Sequence, residues 1–349
     1  MKPLDPARFH AELDGKRVAL FTLRNASGMS VSLTNYGARI VQVLVPDRQG
    51  VPGDVVLGYD SLDAYLGGSP SMGAFIGRYA GRIGHASFTL NGQLHRLTAN
   101  NGAHCLHGGI KGSRFRMFDA EQTSERSVRM SYVFAAGEEG FPGALALQLN
   151  YTVTDANELM LDHEAVALDE PTVASFTSHG FFNLNGETSG SVLDHRVTVM
   201  ADQCFGMSPE LVANGHILPV QGTAMDLRAL TELASRIPAQ LPCYDDCFLI
   251  RRQVVDEWAL CARVEATKSG RTMEVWSTEP ALQFYTGMDP SARLPGGSGK
   301  GGQPYFQQQG LCFEAQGYPN APNLPGFPSA VHEPDRPRRG RTSYRFGTC

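Results

Sequence analysis

A histidine and a glutamate far apart in the chain have surroundings suited to acid–base chemistry. His179 lies in SFTSHGFFNL (175–184), at the end of a β-rich run and followed by Gly180, Phe181 and Phe182. Taken alone, a hydrogen-bonded structural histidine explains this residue as well as a catalytic one does, and the two aromatics can serve either as core or as a face for a ligand ring. Glu314 lies in GLCFEAQ (310–316), an apolar strand-like run where an ionised carboxylate needs a reason to be present. That reason is either a structural partner or a proton to accept, and position does not separate the two.

Polar donors accompany these residues. GRYAGRIG (77–84) carries Arg78 and Arg82 four positions apart, and His107 follows in LHGG (106–109). Glycines let backbone approach a ligand closely, while arginine and histidine donate to hydroxyl oxygens. Two surface arginines and a loop histidine are the plainer alternative. His104 and His107 stand at i, i+3 but lack a third ligand at a fitting spacing, so no metal is expected. Asp245 belongs to YDD (244–246), which also reads as a solvated turn. In ALQFYTG (281–287) alternation sets Gln283 and Tyr285 opposite Leu282 and Phe284, so Gln283 faces solvent or a polar cleft.

The elements that must position these side chains are strands. Runs rich in β-branched and aromatic residues span 18–23, 30–34, 39–45, 127–134, 145–154, 158–166, 173–177, 195–200, 247–250, 260–265, 272–278 and 281–286. Asp155, Ala156 and Asn157 join two of them as a hairpin turn, which implies antiparallel neighbours. DLRALTELASRI (226–237) spaces Leu227, Leu230, Leu233 and Ile237 as a helix of about three turns would. The 38 glycines and 21 prolines are spread along the chain and leave little room for other helices. The expected fold is all-β, a large antiparallel β-sandwich with few short helices, forming a single domain over residues 1–349. The glycine-rich LPGGSGKGGQ (294–303) lacks the spacing of a phosphate-binding loop and reads as a surface loop beside a site.

Composition excludes several classes of function. A formal charge of -5, with no Lys/Arg-rich block, gives no footprint for nucleic acid or a membrane surface. With 42% hydrophobic and 19% charged residues the chain can fill a core. No apolar run of about 18 residues is present and the N-terminus has no signal-peptide core, so a cytoplasmic location is expected. The seven cysteines are scattered without a C-x-x-C pair and read as reduced thiols.

In order along the chain, NYGA (35–38), GRYAGRI, LHGG, TDANEL (154–159), SHGFFNL, YDD, LQFYTG, GLCFEAQGYPNAPN (310–323) and TSYRF (342–346) resemble the aldose 1-epimerase, or galactose mutarotase, family over nearly the whole length. The resemblance implies the family's mutarotase-like β-supersandwich with a sugar cleft on one face. It implies His179 as general acid and Glu314 as general base. Arg82 and His107 take positions beside the ring and anomeric oxygens, and Asp245 and Gln283 positions that bind sugar hydroxyls. Gly81 stands where the family's motif usually has Asn, and Ala315 where it usually has Pro, which bears on substrate preference more than on reaction type. Phe181 and Phe182 are the expected ring contacts.

The implied activity is the interconversion of α and β anomers of a free aldose, within hexose metabolism. It requires a base at the anomeric hydroxyl and an acid at the ring oxygen, and it needs no cofactor. With ordinary pKa values His179 would be largely neutral at pH 7, so neighbouring carboxylates are expected to favour its protonated form. The expected partner is a monosaccharide, and the chain is expected to be a monomer or weak homodimer. A carbohydrate-binding module and a glycoside hydrolase using Asp245 with Glu314 are the competing classes, together with a phosphosugar epimerase, for which no phosphate cluster is evident.

Overall fold

The computed structural model describes residues 3–68, 71–237, 239–254, 256–287, 293–306 and 308–349. Its largest element is a nine-stranded antiparallel sheet running from Asp119–Ser124 through Ser127–Phe134, Leu145–Thr154, Glu158–Ala167, Arg338–Thr348, Arg271–Ser277, Ala259–Ala266 and His195–Val199 to Thr231–Glu232. Burial along Leu145–Thr154 alternates strictly, as expected of a sheet with one face in a core. The turn at 155–157 joins this strand to Glu158–Ala167 with Thr154 opposite Glu158, and Asn157 supplies the left-handed backbone (φ 55°).

Two further sheets pack on the large one. Leu20–Arg24, Ser30–Thr34, Arg39–Pro46 and Pro52–Asp54 form a four-stranded sheet. Ala213–Pro219, Ala201–Met207, Asp245–Ile250, Ala281–Tyr285 and Cys312–Gln316 form a five-stranded one. Val31 and Val43 from the first, Phe248, Phe284 and Phe313 from the second, and Leu149, Met273 and Tyr344 from the nine-stranded sheet share one buried cluster. This shared core makes the sheets a sandwich. Phe284 and Phe313 stack at 5.0 Å between centroids within it.

Three segments depart from the sequence reading. Residues 226–237 are not a helix: Thr231–Glu232 pair with Val197 and Arg196 at the sheet edge, and a short 3-10 turn follows at Leu233–Ser235. Leu227, Leu233 and Ile237 are buried as the apolar spacing implied, but against the sandwich. Asp226 turns back to hold the Arg228 side chain in two bonds of 2.8 Å, which favours a turn over a helical start. The one α-helix among the described residues, Leu62–Gly67, went unread; Ser61 caps it, its Oγ accepting from the Ala64 N–H at 3.3 Å.

The third is the glycine-rich stretch. Arg293–Ser298 pairs with Pro304–Phe306 as a hairpin, so it is not simply a loop. Lys300, at its turn, is buried and donates to Asp54 Oδ2 and to the Val56 carbonyl, both at 2.7 Å. All seven cysteines are unpaired. No helix among the described residues is long and apolar enough to cross a membrane.

Candidate active site

Three adjacent strands of the five-stranded sheet present one wall. Cys247 lies opposite Gln283, and Gln283 opposite Glu314, so alternate residues project Asp245, Gln283, Tyr285, Glu314 and Gln316 to one side. The intervening Phe248, Leu282, Phe284, Phe313 and Ala315 fill the core. Gln283 therefore faces a polar cleft rather than solvent, and its Nε2 donates to Asp245 Oδ1 at 2.7 Å.

The opposite wall is assembled from two small ladders. Arg82–Ile83 pairs with Cys105–Leu106, which joins GRYAGRI to LHGG. His107 follows with φ 53°, its N–H donating to the Gly81 carbonyl at 3.0 Å while its Nδ1 accepts from the Gly81 N–H at 3.2 Å. Gly108 has no alternative here, because a Cβ on it would lie 2.2 Å from the Gly77 carbonyl oxygen. His179 ends the strand Thr177–Ser178, which pairs with Phe75–Ile76. Its own N–H and C=O are both tied to the backbone, at Ala74 and Gly73.

Arg82, His107, His179, Asp245, Gln283 and Glu314 line a single cavity of about 320 Å³, with Gly81 and Phe181 beside them. That volume lies at the small end of ligand clefts. His179 Nε2 stands 3.4 Å from Glu314 Oε1, and both residues are buried. Phe181 stacks on the His179 ring at 5.0 Å with 19° between planes, and His107 meets the same ring edge-on at 5.4 Å. Asn101, which carried no signal in the sequence, accepts from Arg82 Nε at 2.9 Å and so aims the guanidinium. Met207, Leu211 and Ala213 close another side and were equally silent.

Two sequence expectations are corrected. Phe182 does not reach the cavity. The backbone bonds Phe182 makes with Leu311 turn its ring to the other side from Phe181, into the core against Tyr344 (4.8 Å) and Phe346 (6.2 Å). Arg78, offered beside Arg82 as a donor, is neither in the site nor on the surface: it is buried and donates to the carbonyls of Phe134, Pro142 and Gly143 and to Thr172 Oγ1.

Electrostatics differ from expectation as well. Burial, reinforced by Arg114 and Arg39 in place of any carboxylate's opposing pull, takes the His179 imidazole down to about 3. Burial, reinforced by Asp245 and opposed by Arg82, lifts Glu314 well above the usual carboxylate range. Asp245 is raised by burial too, against the pull of Arg82 and the Gln283 bond. His179 and Glu314 both move toward their neutral forms, so the pair holds one transferable proton. His179 Nδ1, Glu314 Oε2 and Gln316 Oε1 are buried without hydrogen-bond partners, a concentration of unmet polar atoms that a polar ligand would relieve.

His107, His179 and Glu314 place potential ligand atoms within 4.8 Å of one another. The donor set does not suit a metal. Because His107 Nδ1 accepts from Gly81, its neutral ring carries hydrogen on Nε2 and has no lone pair there for an ion. His179 Nδ1 also lacks the outer partner that steadies a metal-bound imidazole. The earlier pair fails separately: His104 Nδ1 accepts from the His85 N–H and Nε2 faces Glu210.

A titratable pair inside a cleft lined by polar donors and acceptors, on one sheet of an antiparallel sandwich, has the geometry for acid–base chemistry on a polyhydroxylated small molecule. The aldose 1-epimerase family model matches residues 19–345, and the chain belongs to that family of isomerases. It is 38% identical over 322 residues to galactose mutarotase from Bos taurus, covering 92% of each chain. It is 32% identical over 340 residues to aldose 1-epimerase from Escherichia coli K12, covering 95% of this chain and 96% of that one. Among solved structures, an aldose epimerase homologue from C. elegans superposes with a TM-score of 0.88 at 27% identity, over 95% of this chain and 99% of the other.

Proposed function

We propose that this chain, as one catalytic unit, interconverts the α and β anomers of free aldohexoses such as galactose and glucose by acid–base ring opening and closure. The observation that carries this reading is the 3.4 Å separation of His179 and Glu314 in a buried, hydroxyl-ready cleft. With the shared proton on His179, Glu314 removes the proton from the anomeric hydroxyl while His179 delivers its own to the ring oxygen, and the C1–O5 bond breaks to give the aldehyde. The pair is then a carboxylic acid and a neutral imidazole, the arrangement that burial favours. Rotation about C1–C2 presents the other carbonyl face, and the two transfers run backwards.

Arg82 and the Nε2–H of His107 supply positive potential toward oxygen while charge moves. The Asp245–Gln283 pair holds sugar hydroxyls, and Phe181 offers an apolar face to the ring. The free thiols fit a reducing cytosol.

Polarimetry of freshly dissolved α-galactose and α-glucose tests the reading. The enzyme is expected to speed the approach to the same equilibrium rotation, and a rate equal to the spontaneous one would overturn it. Release of nitrophenol from aryl galactosides would instead identify a hydrolase.

A further inference from the structure

We propose that Gln316 is a further substrate-contacting residue, whose side-chain amide holds the anomeric oxygen through ring opening and reclosure. This rests on the epimerase reading and adds a residue to it. Gln316 is 1% exposed and lines the cavity, yet its Oε1 has no hydrogen-bond partner among the described residues. A buried amide left unmet is costly, and such groups call for a ligand or ordered water.

The strand register places the amide. Cys312, Glu314 and Gln316 follow one another on the cavity face, opposite Tyr285, Gln283 and Ala281 respectively. Asp245, which grips Gln283, lies across from Tyr285, so the hydroxyl-binding pair stands on one side of Glu314 and Gln316 on the other. With Glu314 at the anomeric hydroxyl, Gln316 meets the sugar at its reducing end.

Gly81 leaves the approach open. A Cβ there would come within 3.4 Å of Gln316 Nε2, and no side chain of this chain's own occupies that space. Gly81 also bonds His107 through its N–H and C=O, which puts the gap beside a second anomeric-end donor. An amide suits the task because it offers both an acceptor and a donor. Nε2–H donates to the anomeric oxygen, in the closed sugar and in the aldehyde while C1–C2 turns, and Oε1 accepts from the neighbouring C2 hydroxyl, because the one hydrogen of the anomeric hydroxyl goes to Glu314.

The test is Gln316→Met, which keeps the length of the side chain and removes its hydrogen bonding. Mutarotation kinetics with galactose and glucose are measured together with thermal unfolding. The expected result is a fall of about ten- to a hundredfold in kcat/KM, carried mainly by kcat. Galactose and glucose differ only at C4, so both should lose the same factor. The melting temperature should hold or rise, because an unmet buried amide has gone. An unchanged kcat/KM, or a loss that tracks a lower melting temperature, overturns the assignment. A galactose-to-glucose ratio shifted by more than about threefold overturns the placement at the reducing end. A wild-type chain that leaves α-galactose at its spontaneous rate removes the epimerase reading itself, and this proposal with it.

Discussion

Among the described residues two histidine–glutamate pairs line cavities, and only one has the setting of an active site. His179 and Glu314 stand 3.4 Å apart in a cavity of about 320 Å³; His163 and Glu279 stand 3.6 Å apart in one of about 900 Å³. Each histidine has a phenylalanine against it, Phe181 and Phe176. Burial shifts both pairs the same way, taking His163 to about 4 and Glu279 to about 7. The difference lies in the neighbours. In the larger cavity Arg252 donates to the backbone carbonyls of Glu257, Ser277 and Glu279, Arg338 donates to the Ser329 carbonyl, Arg339 pairs with Glu164, and the polar atoms buried without a partner, Arg252 Nε and His332 Nδ1, lie outside the pair. In the smaller one three buried polar atoms have no partner, two of them on the pair itself, and the His107 ring turns its Nε2–H away from its backbone bond. Cavity size and shifted pKa values report burial; uncommitted donors and acceptors converging on one volume report function.

The sharpest contrast is kinetic. Glu314→Gln and His179→Asn should each cut kcat by about a thousandfold or more, whereas Glu279→Gln and His163→Asn should leave it within about twofold. Polarimetry on the four variants checks this, and equal losses in both pairs would erase the distinction. Asp245→Asn should cost about ten- to a hundredfold in kcat/KM through a weakened grip on sugar hydroxyls, read in the same assay.

The two phenylalanines after His179 sharpen the contrast further. Phe181→Leu should raise KM about three- to tenfold with little loss of stability. Phe182→Leu should lower stability by about 1–2 kcal/mol with KM unchanged, as denaturant titration would reveal. In the pH profile, one transferable proton is retained from the low value of His179 up to the raised value of Glu314. Wild-type kcat/KM should therefore persist on the acid side through the ordinary carboxylate range near about 4.3 and decline on the alkaline side as the shared proton is lost; an acid-side break near about 4.3 would mean an unperturbed carboxylate.

A last effect concerns the second pair and stability alone. Glu279 has its pKa raised on folding, so its contribution is present in full below the unfolded value and is lost as pH rises through about 7. Glu279→Gln should thus stabilise the fold by about 1–3 kcal/mol above that pH and change little in acid. Melting curves at two pH values decide it.

Much of the fold was legible because strand chemistry is local: the runs at 127–134 and 145–154 match the observed Ser127–Phe134 and Leu145–Thr154. The 226–237 segment was misread because spaced leucines meet a sheet edge as readily as a helix face, and the decision fell to Asp226 and to pairing with His195–Val199. At the site, His179, Glu314 and their four polar companions were legible through motif resemblance. Their meeting in one cavity was not, since it depends on strand register and on the 82–83 to 105–106 ladder. Phe182 was assigned wrongly because two consecutive aromatics look alike until the backbone bonds to Leu311 set their directions. Asn101 and Gln316 were not singled out, because the bond to Arg82 and the shared cavity face emerge only once the strands pair.

The strands Asp245–Ile250, Ala281–Tyr285 and Cys312–Gln316 serve the interior with one set of alternate residues and the ligand with the other. Retuning for a different sugar can therefore proceed residue by residue on the outward set while the inward set is left alone. A mutant library confined to positions 245, 283 and 285 would sample new preferences at little risk to foldedness. The same number of changes one step along each strand would mostly yield chains that no longer fold.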